Sequence, residues 1–152
     1  MSSFSVPLPL DSDGFLRREC PHCVQQFKWH HGPTADRPEG EIDPVVYYCP
    51  LCGVSAGLDE WWTEEQLAFV EQSAAGPMLR TASEEIEKAL RGFKGLTYKP
   101  GQLDEPEPPP ALHEPDDMII VASPCHSWEP VKIPEGAAAR VHCLMCGEKF
   151  AA

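Results

Sequence analysis

Apolar and polar residues alternate along FLRREC (15–20), VQQFKWHH (24–31) and VVYYC (45–49), the period-two pattern of half-buried strands. Between the last two lies GPTADRPEGEIDP (32–44), a Pro/Gly/Asp stretch that cannot continue a strand, so residues 15–58 are expected to form a small antiparallel hairpin unit. The period then changes. In DEWWTEEQLAFVEQSAAG (59–76), Thr63 and Gln66 match a capping box, and Glu64 and Glu65 suit a helix N-terminus. Leu67 and Val70, with Trp62 and Phe69, give that helix an apolar side, and Gly76 and Pro77 are expected to end it. A second helix is expected from Ser83 as N-cap, with Ile86, Leu90 and Phe93 at helical spacing and a stop near Gly92 or Gly95.

Residues 99–117 carry six prolines and no basic residue after Lys99, the composition of an extended, self-repelling spacer. Beyond it MIIVA (118–122) reads as a buried strand, followed by SPCHSWEPVKIP, a small-residue turn and RVHCLMCGEKF. That order of strand, cysteine turn, spacer, strand, cysteine pair and glycine repeats the layout of residues 15–58, so 118–152 reads as a second, degenerate copy. The expected organisation is a flexible start (1–14), a first cysteine unit (15–58), a helical segment (59–98), an acidic linker (99–117) and a second cysteine unit (118–152), in all a small α+β fold stapled by metal.

Composition explains why staples are needed. Seventeen prolines in 152 residues, with 42% hydrophobic residues, leave only small cores, and small cores need covalent or metal support. Seven cysteines supply it, and an odd number suits a closed disulfide framework poorly. The opening MSSFSVPLPLDSDG lacks a basic start followed by a long apolar run, and no stretch reaches the roughly 18 apolar residues of a membrane span. A soluble protein of a reducing cytoplasm is expected, in which thiols stay free or bind metal.

The cysteines fall in turns of one type: ECPHC with Cys20 and Cys23, YCPLCG with Cys49 and Cys52, and HCLMCG with Cys143 and Cys146. Thiolates separated by two residues flank a tight turn whose N–H groups point at sulfur, and Gly53 and Gly147 stand where φ > 0 is useful. Cys20, Cys23, Cys49 and Cys52 therefore give four soft ligands for a tetrahedral zinc ion. For a second zinc, Cys143 and Cys146 join Cys125, with His126 favoured as fourth ligand over His142 and His113. CPHC is also an active-site tetrad of thiol–disulfide oxidoreductases, but that chemistry needs a helix directly after the pair, where this chain has a strand-like segment.

With its two knuckles separated by a hairpin, the segment 19–53 resembles a zinc ribbon of the rubredoxin-like, transcription-factor type. The resemblance covers about a quarter of the chain and implies a structural zinc and a β-hairpin fold. Its spacer is longer than is common in that family, which implies an enlarged loop at 31–44.

Net charge is −12, and half of the excess lies in residues 101–118. An acidic surface repels phosphates unless bases gather locally, so nucleic-acid binding is disfavoured. Arg17, Arg18, Lys28, Trp29 and His30 form the one basic and aromatic combination on the first hairpin, and Trp61 and Trp62 follow it; these seven residues are the expected interaction surface. Zinc-deaminase, serine-hydrolase and phosphate-loop signatures are absent, and a set of four thiolates leaves no open metal position for catalysis. The expectation is a non-enzymatic zinc-binding adaptor or accessory subunit with a protein partner, with a nucleic-acid-binding or transcription-related ribbon as the alternative and a thiol–disulfide or zinc enzyme behind both.

Overall fold

The computed structural model of the chain describes residues 6–93, 95 and 106–152. These fall into two compact units, one built from Leu8–Glu64 and His113–Ala152, the other around the helix and the stretch leading to Leu112. The expected linker before residue 106 lies outside the described residues, as do residues 1–5.

In the first unit, strands β1 (Phe15–Glu19), β2 (Gln26–His30), β5 (Ile119–Val121) and β6 (Val131–Ile133) form one antiparallel sheet in the order β1-β2-β6-β5. The two cysteine-bearing segments, far apart in sequence, thus share a sheet, joined where Lys28 faces Lys132 and Trp29 faces Val131. Two short hairpins complete the unit: β3 (Val46–Tyr48) with β4 (Ser55–Gly57), and β7 (Val141–His142) with β8 (Lys149–Phe150). The sequence pattern located β1, β2 and β3. It missed β6, whose VKI lies among prolines. MIIVA is a strand but not a buried one: β5 is a sheet edge, and only Val121 of Ile119–Val121 is buried.

Cross-strand partners project from the same face of a sheet. One face presents Leu16, Trp29, Val131 and Val121, each opposite the next, with Phe27 and Ile133 one pleat along. These pack around Trp61, which is fully buried with its ring 5.6 Å from that of Phe27 and 6.1 Å from that of Trp29. Burying a side chain such as Phe27 or Ile133 stabilises by about 1.5–3 kcal/mol. Arg18 lies on the same face, its guanidinium 4.8 Å from the Trp29 ring centre and 5.0 Å from that of Trp62. Burial pulls its pKa down to about 10.

The opposite face carries Arg17, Lys28 and Lys132 in a row across three strands. Three cations side by side would repel, and Lys28 and Lys132 are 0% and 2% exposed. The chain neutralises them itself. Asp11 Oδ2 lies 3.1 Å from Lys28 Nζ and 2.8 Å from Lys132 Nζ, bridging the pair. Asp13 adds a second carboxylate to Lys132, while Glu114 and Asp117 serve Lys28 and Arg17. Lys28 also donates to the Pro115 carbonyl at 2.6 Å. Residues 11–13, expected to be a flexible start, and 114–117, expected to belong to a free spacer, are therefore tied to the sheet. A buried cation loses so much hydration that it recruits acidic chain from wherever the sequence supplies it.

Among the described residues the second unit contains one helix, α1 (Glu64–Leu90), in place of the two expected from the sequence. It starts directly after Thr63, as the capping pattern indicates, but runs through Pro77. Proline removes one backbone donor, yet its fixed φ is helical, and the Glu, Ala, Leu, Met and Arg around it favour helix on both sides. Thr81 Oγ1 donates to the Pro77 carbonyl at 3.0 Å one turn later. No helix among the described residues is long and apolar enough to cross a membrane.

Candidate metal centres

Three knuckles repeat one backbone arrangement. The first cysteine's N–H donates to the carbonyl five residues on, and the N–H four residues on returns to that cysteine's carbonyl: Cys20 with Gln25 and Val24, Cys49 with Val54 and Gly53, Cys143 with Glu148 and Gly147. The residue closing this loop has positive φ, +77° at both Gly53 and Gly147 and +61° at Val24. Two knuckles use glycine there, and the third forces a β-branched residue into a region it avoids.

The first two knuckles bring Cys20, Cys23, Cys49 and Cys52 together, with all four sulfurs within 4.8 Å of one another. Cys20 lies 3.6 Å from Cys52 and Cys23 lies 3.8 Å from Cys49. A disulfide would need about 2.05 Å. A tetrahedral ion with metal–sulfur bonds of about 2.3 Å sets sulfur–sulfur edges of about 3.8 Å, so the spacing fits a metal. Backbone N–H groups of His22 and Cys23 point at Cys20 Sγ, and those of Leu51 and Cys52 at Cys49 Sγ. Burial pushes the Cys49 thiol well above its ordinary value even with those N–H groups, and Cys20 and Cys23 add repulsion. Such a buried thiol gives up its proton to a dication rather than to water.

The second cluster is Cys125, His126, Cys143 and Cys146. Cys125 and Cys146 sulfurs are 3.5 Å apart, and His126 Nδ1 is 3.5 Å from Cys143 Sγ. A nitrogen bond of about 2.0 Å and a sulfur bond of about 2.3 Å at the tetrahedral angle give an edge of about 3.5 Å. The His126 ring rests edge-on against Trp128 at 5.2 Å. Of the alternative histidines, His142 is engaged elsewhere, its Nδ1 3.0 Å from the Gly147 carbonyl, and His113 is not in the cluster.

Ser123, which sequence reasoning passed over, explains the adjacent pair. Cys23 N–H bonds Cys20 Sγ in the first copy, and His126 N–H bonds Ser123 Oγ in the second. CPHC thus corresponds to SPCH: serine holds the first thiol's place and donates to Cys143 Sγ at 3.1 Å, the displaced thiol stands two positions on at Cys125, and His126 occupies the place of the second cysteine. Burial opposes ionisation of Cys125, but hydrogen bonds from His126, Cys146, Ser123 and Cys143 outweigh it and bring its pKa down to about 7. Burial pushes Cys146 up to about 11.

The two copies also grip each other through their last knuckles. Tyr48 N–H donates to the Leu144 carbonyl and His142 N–H to the Pro50 carbonyl, both at 2.8 Å, an exchange related by a local two-fold axis. The rings follow the same symmetry. A Cβ on Gly53 would stand 2.7 Å from the His142 ring, and one on Gly147 2.6 Å from the Tyr48 ring. Both glycines are required twice, by φ and by this contact. CxxCG in the sequence signals the first requirement and not the second.

The residues expected to form an interaction surface are dispersed. Lys28 and Trp61 have no exposed area, Arg17 is held by Glu114 and Asp117, and Arg18 is buried beneath Trp62 and Trp29. Burial of the aromatic side chains is what the hydrophobic drive demands of a small sheet, and Arg18 is buried with them on that face. Trp29 and His30, both half-buried, line one groove.

No family model matches the chain, and neither a curated protein nor a solved structure shows significant similarity to it.

Proposed function

We propose that the chain is a tandem zinc ribbon that binds zinc in both clusters and acts, without catalysis, as an adaptor or accessory subunit docking onto another protein. The observation that carries this reading is the internal neutralisation of Arg17, Lys28 and Lys132 by Asp11, Asp13, Glu114 and Asp117. A ribbon that grips nucleic acid keeps its cations for phosphates, because phosphate contacts supply most of the affinity. Here they are spent inside the fold. Meanwhile the hairpin region exposes apolar side chains: Ile42 and Val45 are 85% and 83% exposed, with Val54 and Leu58 beside β4. Exposed aliphatic groups suit a protein partner.

Zinc fits the donor set, since thiolate-rich tetrahedral sites select it among available divalent ions. Each cluster provides four donors, so neither has a vacant position for substrate. The redox alternative finds no support, because strand β2 rather than a helix follows Cys23.

The test has two arms. Elemental analysis of protein purified without added metal is expected to find two zinc ions per chain. Titration of labelled DNA and RNA at low salt is expected to give no complex; a salt-sensitive submicromolar complex would replace this reading with the nucleic-acid one.

A further inference from the structure

Beside β3, on the face of the sheet that holds Trp29, a groove of about 340 Å³ opens between the enlarged loop 31–44 and the turn that carries Glu129. Its walls are apolar and aromatic: Trp29, Tyr47, Leu58, Pro33 and Pro44. The Trp29 and Tyr47 rings meet at 4.8 Å with their planes inclined by 51°. That volume is at the small end of the range for specific ligand pockets.

The charges in the groove do not balance. Arg37 is committed to its own loop, donating to Asp43 at 2.7 Å and to the Glu41 carbonyl at 3.0 Å. His30 donates its Nδ1–H to the Gly32 carbonyl. The Glu129 carboxylate makes no hydrogen bond or ion pair within the described residues, although it is half-buried. Desolvation pushes its pKa above the ordinary carboxylate value even though Arg37, His30 and His126 pull the other way. Chain that so thoroughly neutralises Lys28 and Lys132 leaves this carboxylate unanswered. A carboxylate in a groove also lined by Trp29 and Tyr47 attracts a cation by charge, and the rings add the attraction of their negative faces.

We propose that this groove is a recognition site for a lysine side chain presented by a protein partner, with the ammonium at Glu129 and the methylene stem along Trp29, Tyr47 and Leu58. A lysine stem covers apolar surface while its head pairs with an acid, which matches a groove with an apolar wall of Trp29, Tyr47 and Leu58, an Arg37–Asp43 pair that is already matched, and one further carboxylate at Glu129. The groove adjoins the exposed aliphatic residues at Val45 and Leu58, which the β3–β4 register places at one end of that hairpin. The inference deepens the adaptor reading by naming what the partner presents, and rests on that reading only for the source of the lysine.

The test uses the full zinc-loaded chain and Nα-acetyl-lysine amide, followed through the Trp29 indole and Tyr47 ring resonances. A saturable shift at both is expected. Glu129→Gln should weaken it about tenfold or more, equivalent to about 1.4 kcal/mol, while leaving metal content and thermal midpoint unchanged, since that carboxylate holds nothing in the fold. The neutral isostere Nα-acetyl-norleucine amide should bind at least tenfold more weakly than the lysine amide. Equal binding of the two amides, indifference to Glu129→Gln, or no shift with either probe would overturn the site. Failure to identify a protein partner from the native cell, alongside normal lysine-amide binding, would count against the adaptor reading and leave the groove standing.

Discussion

The first cysteine cluster is enclosed, with Cys20 and Cys49 at 0% exposure, whereas in the second only Cys143 is buried and Cys125 and Cys146 face solvent. Both sit on the same scaffold, a strand-bounded turn packed against a CxxCG knuckle, and each knuckle anchors the other by a symmetric pair of hydrogen bonds. What differs is one turn, CPHC against SPCH. The first thiol is displaced two places along, to the exposed Cys125, and imidazole replaces sulfur at the fourth position. Serine stays behind as a hydrogen-bond donor to Cys143. A repeated fold can thus keep its backbone while its metal ligands migrate, provided the vacated position still satisfies the neighbouring N–H and sulfur. The enclosed cluster is expected to carry the stability of the sheet and the exposed one to be the more readily emptied.

The hardest blow to this hierarchy is Cys49→Ser. Metal binding of this kind contributes on the order of 10 kcal/mol to folding, so the variant is expected to lose cooperative unfolding by circular dichroism and bind at most one zinc. Cys146→Ser should also lose one equivalent but retain the four-stranded sheet, with the thermal midpoint lowered far less. Equal collapse of both variants would mean that the clusters are not ranked by enclosure.

Next in size is the bridge that ties the copies together beneath the sheet. Asp11→Asn removes the carboxylate shared by the buried Lys28 and Lys132, which keep Glu114, Asp117 and Asp13, so the cost in urea unfolding is expected at the low end of about 3–5 kcal/mol. The same bridge sets a pH window. The Lys132 and Lys28 ammonium groups hold the Asp11 carboxyl below its ordinary value of 3.8 despite burial, so its contribution is complete above that value and lost as pH falls below it. Both lysines are raised above 10.5, again against burial: Lys28 by Glu114, Asp11 and Asp117, and Lys132 by Asp11 and Asp13. Their contribution is complete below 10.5 and lost as pH rises through the raised values. Stability should be flat between these limits for the metal-loaded protein wherever the metal itself is retained, and Asp11→Asn should remove the acid-side dependence attributed to it.

Smaller effects probe the symmetry itself. Gly53→Ala and Gly147→Ala should each cost about 1–3 kcal/mol, through positive φ and the opposing ring, and by similar amounts. A large inequality would show that the two contacts are not equivalent in energy. Smallest and of opposite sign, Val24→Gly is expected to stabilise by about 1 kcal/mol, because the knuckle holds an exposed valine at φ +61°.

Local chemistry is what the sequence by itself determined. Cysteine spacing, the glycine after each CxxC and period-two alternation placed β1, β2, β3 and the knuckles, because a tight turn and a pleated strand are set by residues a few places apart. The start of α1 was legible in Thr63 and the acids after it; its passage through Pro77 was not, since a single lost hydrogen bond is outweighed by propensity on both sides. Only the tertiary structure decided the rest. That β2 pairs with β6, that Asp11 and Glu114 close over buried lysines, and that His142 and Tyr48 seal each other's glycine turn all involve partners tens of residues apart. No local pattern encodes these pairings, because their free energy comes from desolvating charges and rings that meet only once the chain has folded.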